Sequence, residues 1–395
     1  MKRILYLADP KLIHDQKWIT YFSSQSEKYE CYLIVRQHHR DLYQIEDFSD
    51  IEQTFKCKFL GCVKDFSIRN FMQTYQQGQI IKNLISQYKI DIFHILYAEP
   101  NVLWANLSLP KGVKCLVTSR GTDVLKTIPE FNKKSGILPK LVYKLYQRAF
   151  ERCQAITSTS IRQINSINAI SPSSKNKTHL VRTGVDLTLL DAAEKPLPAD
   201  LESTPFILFP RNMRPLYNHE MAIEALKLLP SDLREKYTAV FVHRNSNDKV
   251  YVAKIEKALS ELSMKYVFLD FVPSEVLYSL YKKAEAIVMT PLSDGTPVSA
   301  IEAMALGRQL ILSPLDYDAD IFQKDAVQIL KTWEPTELAI VLANVLNKKV
   351  LSNTEKAAHL ARTLANRNIE MEKLQTLYEN PSLKPTVATE SYEYI

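Results

Sequence analysis

Residues 293–307, SDGTPVSAIEAMALG, set two carboxylates, Asp294 and Glu302, around the start of a helix-forming run. The chain holds only eight glycines in 395 residues, about 2% against the usual ~7%. The two in this stretch therefore mark places where the backbone needs them. Gly295 permits a turn that other residues resist. Thr296 suits a helix cap and Pro297 the first helical position, with Ser299 to Ala305 running as a helix and Gly307 as a stop. A helix N-terminus offers unpaired N–H groups and a partial positive charge, which favour a phosphate. Asp294 lies just before that point, and Glu302 lies one to two turns inside. Carboxylates cannot hold phosphates, so the hydroxyls of a sugar or ribose are their sensible targets. The same residues also fit an ordinary capped helix with an exposed carboxylate.

A strand-like run, EAIVMT (285–290), precedes this motif, and apolar runs of that kind alternate with helical spacing along the chain. The front half shows runs at 4–8, 31–35, 92–96, 114–119, 155–160 and 179–183, with helical stretches such as 74–88 and 138–153. Behind it, runs at 206–210, 238–243, 266–272, 285–290, 309–313 and 327–330 alternate with helices at 218–229, 248–263, 274–283 and 297–306. The pattern predicts an α/β protein of two Rossmann-like, doubly wound parallel-sheet domains facing across a cleft. The expected division is residues 1–190, a proline-rich acidic linker over 191–205, a second domain over 206–360, a C-terminal helix over 361–380 and a loose tail over 381–395. In such sheets ligands bind beyond the carboxyl ends of strands.

The composition, 46% hydrophobic and 24% charged, fits a globular chain with sizeable cores. No apolar run reaches the ~18 residues of a membrane span. Five cysteines (Cys31, Cys57, Cys62, Cys115, Cys153) lack metal-ligand spacing and read as reduced thiols. No metal-ligand cluster is read from the sequence, although DYDAD (316–320) has Asp-x-Asp spacing. Residues 1–190 carry 27 Lys and Arg against 16 Asp and Glu, net +11, while the whole chain is +6. A basic front half predicts an anionic partner. Nucleic acid is not favoured, because no aromatic-interleaved basic module is present.

SDGTPVSAIEAMALG resembles the donor-site motif of family 4 glycosyltransferases, which have the GT-B fold, with Asp294 in place of the usual first Glu and Glu302 as the second acid. FPRNMRPLYNHEMAIEAL (209–226) resembles the segment opening the family's second domain. There Arg211 matches the arginine that contacts the donor diphosphate. Asn218 stands where a lysine is usual, and Arg214 is a candidate substitute. TGVD (183–186), SRGTDV (119–124), IHDQKW (13–18) and DIFHILYAEP (91–100) resemble further family segments in the right order. The resemblance is strongest over 206–314 and weakest over 40–85.

The resemblance implies retaining glycosyl transfer from a nucleotide sugar, a UDP- or GDP-sugar, to a saccharide or lipid-linked acceptor. It implies no cofactor and no metal. Donor binding would use Arg211, Arg214, Asn218, Asp294, Gly295, Thr296, Pro297, Val298 and Glu302. Catalysis would draw on Asp294, Glu302, Arg211, Arg120 and Asp123. The acceptor side would use His14, in a loop after the first strand, with His94, Arg120 and Gly121. The implied setting is bacterial surface polysaccharide or glycolipid assembly, in the cytoplasm or at the inner face of the plasma membrane. A GT-B epimerase or phosphorylase is an alternative. So is a non-catalytic partner protein with a decayed donor site, for which Asn218 and His243, at a position where the family often has glycine, speak.

Other signals have bland readings beside sharp ones. His94 lies in an apolar run and fits a satisfied core histidine as well as a ligand. Arg120 and Asp123 also fit an ordinary turn with a helix cap. His219 opens a helix and is expected to be exposed. Lys140, Lys144, Arg148 and Arg152 recur on one face of helix 138–153, while Ile137, Leu138, Leu141, Leu145 and Ala149 share another. The helix reads either as a solvated face over a core stripe or as a contact with an anionic membrane.

Overall fold

The computed structural model describes residues 1–38, 41, 49–242, 248–270 and 272–385. His243 and the tail beyond 385 lie outside the described residues. The chain forms two compact units, one of residues 1–183 with those from Ile369 onward, the other of Gly184–Asn368.

The first unit is built on seven parallel strands, β1 (Lys2–Leu7), β2 (Tyr29–Arg36), β3 (Lys58–Val63), β4 (Ile92–Leu96), β5 (Lys114–Ser119), β6 (Ala155–Ser158) and β7 (Thr178–Leu180). Their order is β3-β2-β1-β4-β5-β6-β7. Helices α1 (Ile13–Ser23), α2 (Phe71–Gln87), α3 (Ala105–Ser108) and α4 (Ile137–Arg152) join or flank them. Ile4, Leu5, Tyr6 and Leu7 are all fully buried, because a parallel strand covered by helices on both faces must be apolar on both. β3, KFLGCV, is only partly buried along most of its length and so lacks the apolar run that marks the others. On α4 the buried residues are Val142, Tyr146, Ala149 and Phe150. Ile137, Leu138 and Leu141, expected on the core stripe, are exposed instead.

The second unit has six parallel strands, β8 (Phe206–Phe209), β9 (Thr238–Val242), β10 (Tyr266–Leu269), β11 (Ala286–Met289), β12 (Leu310–Leu312) and β13 (Gln328–Ile329). Their order is β10-β9-β8-β11-β12-β13. The winding reverses between β8 and β11, so the loops leaving these two strands lie side by side at the carboxyl end of the sheet. Helix α5 (His219–Lys227) follows β8, and α6 (Val298–Ala305) follows β11. Residues 191–205 do not run free as a linker. Ala193, Leu197 and Leu201 are buried in this unit's core beside Phe206 and Leu280. Gly184 stands at φ +71°, and a Cβ there would meet the Arg367 Cα at 2.5 Å.

The helical stretch 335–379 is three helices, Pro335–Leu346, Thr354–Leu364 and α7 (Arg367–Glu379). From Ile369, α7 belongs to the first unit, where Met371, Leu374, Leu377 and Tyr378 join a core with Trp18, Phe22 and Ile92. The Tyr378 hydroxyl lies 2.6 Å from His94 Nδ1 and 3.1 Å from the Tyr6 hydroxyl. His94 Nε2 lies 2.8 Å from Thr118 Oγ1. Among the described residues no helix is long and apolar enough to cross a membrane.

Candidate functional site

The loops after β8 and β11 carry the charged residues of the two motifs, and hydrogen bonds tie the loops together. The Thr290 hydroxyl donates to the Tyr217 and Asn218 carbonyls at 3.1 Å each, and the Leu292 N–H to the Leu216 carbonyl at 2.8 Å. Arg211 leaves β8 and reaches across. Its Nη2 meets Asp294 Oδ2 at 3.0 Å and its Nη1 meets Ser299 Oγ at 2.6 Å. The Tyr217 ring lies under the guanidinium at 4.2 Å. Burial opposes the charge, but Asp294 and Tyr217 outweigh it and hold the guanidinium pKa above its ordinary value. A guanidinium has five N–H donors, so this fork keeps donors for an anion while two are engaged.

Asp294 also accepts the Gly295 N–H at 2.9 Å, which shapes the turn into α6. The helix starts one residue later than expected. Pro297 is the cap residue rather than the first helical one, and no side chain caps the helix. Thr296 does not cap it, because its hydroxyl donates to Asp318 Oδ2 at 3.0 Å. The first N–H groups of α6 lack intrahelical partners by geometry, so this end of the helix keeps its anion-binding character. Val298 and Ser299 are the first residues behind it. Glu302 is buried, 7% exposed, and not the surface carboxylate of an ordinary capped helix. It accepts a hydrogen bond from the Tyr278 hydroxyl at 3.1 Å.

Asn218 adopts a left-handed conformation, φ +46°, and its side chain makes no cap bond to α5. Arg214 is exposed immediately before the turn of 215–217. His219 is buried, not exposed as expected, because α5 enters the core with its first residue. Its Nε2 lies 3.1 Å from the Arg211 carbonyl, which fixes the backbone that presents the guanidinium. Burial lowers its pKa to about 4, so the ring is neutral.

In the first unit Arg120 follows β5. Its Nη2 pairs with Asp15 Oδ1 at 2.8 Å, and its guanidinium lies 4.6 Å over the Trp18 ring. The Arg120 side chain is only 9% exposed, and its Nε and Nη1 have no hydrogen-bond partner among the described residues. Asp15 is fully buried; burial raises its pKa while Arg120 pulls it down. Asp123 anchors the backbone of this turn. It is fully buried and accepts backbone N–H bonds from Ala98, Arg120, Gly121 and Val124. Those bonds hold Gly121 at φ +128°, a conformation that favours glycine. His94 is fully buried with both ring nitrogens engaged, as a satisfied core histidine would be, and burial lowers its pKa to about 3. His14 is exposed in the first turn of α1, not in a loop.

Tyr217, Tyr278, Ser299, His219, Asp15 and Trp18 had no individual sequence signal as site residues. Each acts by touching a residue that did. Among the described residues no group of three or more His, Cys, Asp or Glu side chains could hold a metal.

Two family models match the chain without overlapping. Residues 3–160 match the model described as glycosyl transferase 4-like, and residues 194–364 that of glycosyl transferases group 1. No curated protein matches. Among solved structures, a glycosyltransferase from Rickettsia africae is 14% identical with a TM-score of 0.73, covering 96% of this chain and 98% of its own. Sucrose-phosphate synthase from Thermosynechococcus elongatus is 14% identical, TM-score 0.69, with the same coverages. Anabaena HepE in complex with UDP and glucose is 13% identical, TM-score 0.69, covering 96% of this chain and all of its own. At these identities the structures show a shared fold, the GT-B fold.

Proposed function

We propose that this chain, whose two parts match glycosyltransferase family models, moves a sugar from a nucleotide-sugar donor to a saccharide or lipid-linked acceptor with retention. The observation that carries this reading is the Arg211 fork, bonded to Asp294 and Ser299 at the uncapped start of α6. When the glycosidic bond to the donor diphosphate breaks, negative charge grows on the leaving phosphates. Arg211 and the α6 N-terminus are positive groups held ready for it, and preorganised groups of this kind supply catalysis without a metal. Glu302, fixed by Tyr278, takes the ribose hydroxyls. Asp294 takes hydroxyls of the donor sugar while keeping Arg211 in place. Arg214 and Asn218 stand at the edge of the same loop, in the part that a lysine serves in the family. Arg120 works on the acceptor side, with Gly121 giving the turn that presents it. UDP is the favoured nucleotide, since a protein of the same fold is known with it bound. The reaction serves surface polysaccharide or glycolipid assembly on the cytoplasmic side of the plasma membrane, a setting that rests on the resemblance to family 4.

Thermal unfolding with UDP, GDP, ADP or CMP tests the donor site. A ligand at 100 times its Kd stabilises by about 2.7 kcal/mol. One nucleotide should shift the wild type, and Glu302→Ala should lose that shift. No shift with any nucleotide would overturn the donor assignment. Product analysis with the matching nucleotide sugar then separates transfer from isomerisation.

A further inference from the structure

The first turn of α4 carries apolar side chains away from the core. Ile137 is 89% exposed, with Leu138 at 49% and Leu141 at 47%. All of residues 132–138 are exposed. A second apolar tip stands at the start of α2, where Phe71 is 61% and Met72 68% exposed. Tyr75 stacks on Phe71 there, ring centroids 6.4 Å apart.

The topology puts both tips at one end of the unit. α2 leads from β3 back to β4 and α4 leads back to β6, all parallel strands, so both helices start at the carboxyl end of the sheet. Both also lie on one face, since Ile81 and Ile85 of α2 share a core with Val142 and Ala149 of α4. α3 packs between them.

Charge says what covers this rim. Residues 126–148 contain Lys126, Lys133, Lys134, Lys140, Lys144 and Arg148 against one acid, Glu130, and α2 has no acidic residue. All six cations are exposed. Apolar tips on a rim whose α4 side carries six cations suit an anionic lipid surface: the tips enter the acyl boundary and the lysines meet headgroup phosphates. A second copy of the chain would set like charges against each other.

We propose that this rim docks the first unit onto an anionic bilayer, through Ile137, Leu138 and Leu141 on α4 and Phe71 and Met72 on α2. The inference rests on the glycosyltransferase reading for its purpose, which is to bring the enzyme to a lipid-linked acceptor. The docking itself can be measured without it.

The test is co-sedimentation of the full chain with vesicles of phosphatidylcholine alone or mixed equally with phosphatidylglycerol. Wild type should pellet with the anionic vesicles only, and less so as salt rises. Three variants change exposed residues only: Ile137→Ser/Leu138→Ser/Leu141→Ser, Phe71→Ser/Met72→Ser and Lys133→Glu/Lys134→Glu. Each should weaken binding by at least about tenfold. Wild type remaining in the supernatant, or all variants binding as wild type, would overturn the proposal. So would a dimer in lipid-free sedimentation velocity that the Ile137→Ser/Leu138→Ser/Leu141→Ser variant abolishes, since the occupant would then be a second copy. Nucleotide thermal shifts on the same preparations read the donor site separately. Loss of vesicle binding with the shift intact strikes the surface alone, and loss of the shift in wild type strikes the donor reading alone.

Discussion

Arg211 and Asp294 meet at 3.0 Å across two adjacent strand ends, with Ser299 on the other arm of the guanidinium. β8 pairs directly with β11 through Ile207–Ala286 and Leu208–Ile287. The strand register therefore sets the meeting of two residues 83 positions apart. In the proposed function Arg211 faces the leaving phosphates, so Arg211→Ala should lower turnover by about 10²–10³. Arg211→Lys should recover only part of it, because an ammonium cannot keep both arms of the fork. Steady-state kinetics with the cognate donor measures both, and an Arg211→Ala enzyme of wild-type turnover would contradict the assignment.

Tyr278 donates a hydrogen bond to Glu302 at 3.1 Å. A side-chain hydrogen bond contributes about 0.5–1.5 kcal/mol net. Tyr278→Phe should therefore shrink the nucleotide thermal shift without abolishing it, while Glu302→Ala abolishes it. Calorimetric titration with the nucleotide ranks the two. Equal affinity in Tyr278→Phe and wild type would make the tyrosine a packing residue only.

Three buried histidines make stability depend on pH. Burial lowers His94 to about 3, and His179 and His219 to about 4, from an ordinary 6.5. In the interval between these values the unfolded chain binds more protons than the folded one, so unfolding free energy rises with pH there. The contribution is whole above about pH 6.5 and is lost as the pH falls towards the folded values. The urea midpoint should drop steadily from about pH 7 to about pH 5, and His179→Gln should flatten the drop. The His179 Nε2 has no partner among the described residues, so that substitution breaks no hydrogen bond at that atom.

Asp15 and Arg120 are a buried pair, 1% and 9% exposed. Breaking such a pair from one side costs about 3–5 kcal/mol. Asp15→Ala should therefore destabilise strongly, because it leaves the guanidinium without its counter-charge. Asp15→Leu combined with Arg120→Met removes both charges and should cost less than either single change. A double-mutant cycle by urea denaturation decides this, and additive effects would show that the pair does not act as a unit.

The two-sheet architecture was legible because strands such as ILYLA and AIVM are covered on both faces and must be apolar throughout. β3 was not, because an outer strand with partly exposed residues carries no such run. Residues 191–205 read as a linker because three prolines hide Ala193, Leu197 and Leu201, whose burial depends on neighbours distant in sequence. In the site, Arg211, Asp294 and Glu302 were visible through motif resemblance. Their supports, Tyr217, Tyr278 and His219, were not, since nothing local distinguishes a tyrosine under a guanidinium from one on a surface. The exposure of Ile137, Leu138 and Leu141 was hidden for the opposite reason. Helical spacing shows which residues share a face but not where the sheet beneath it stops.

The return of α7 to the first unit bears on the order in which the chain can fold. Met371, Leu374, Leu377 and Tyr378 fill one side of that unit's core, yet they leave the ribosome after the whole of the second unit. Chains fold from the N-terminus as they are made. Until residue 378 emerges, Trp18 and Phe22 face a gap and His94 lacks the hydroxyl at its Nδ1. The second unit, whose residues are contiguous, needs no later segment and can close first. The half that begins synthesis is thus the half that finishes last, and the nascent chain carries an open apolar seam through most of its translation.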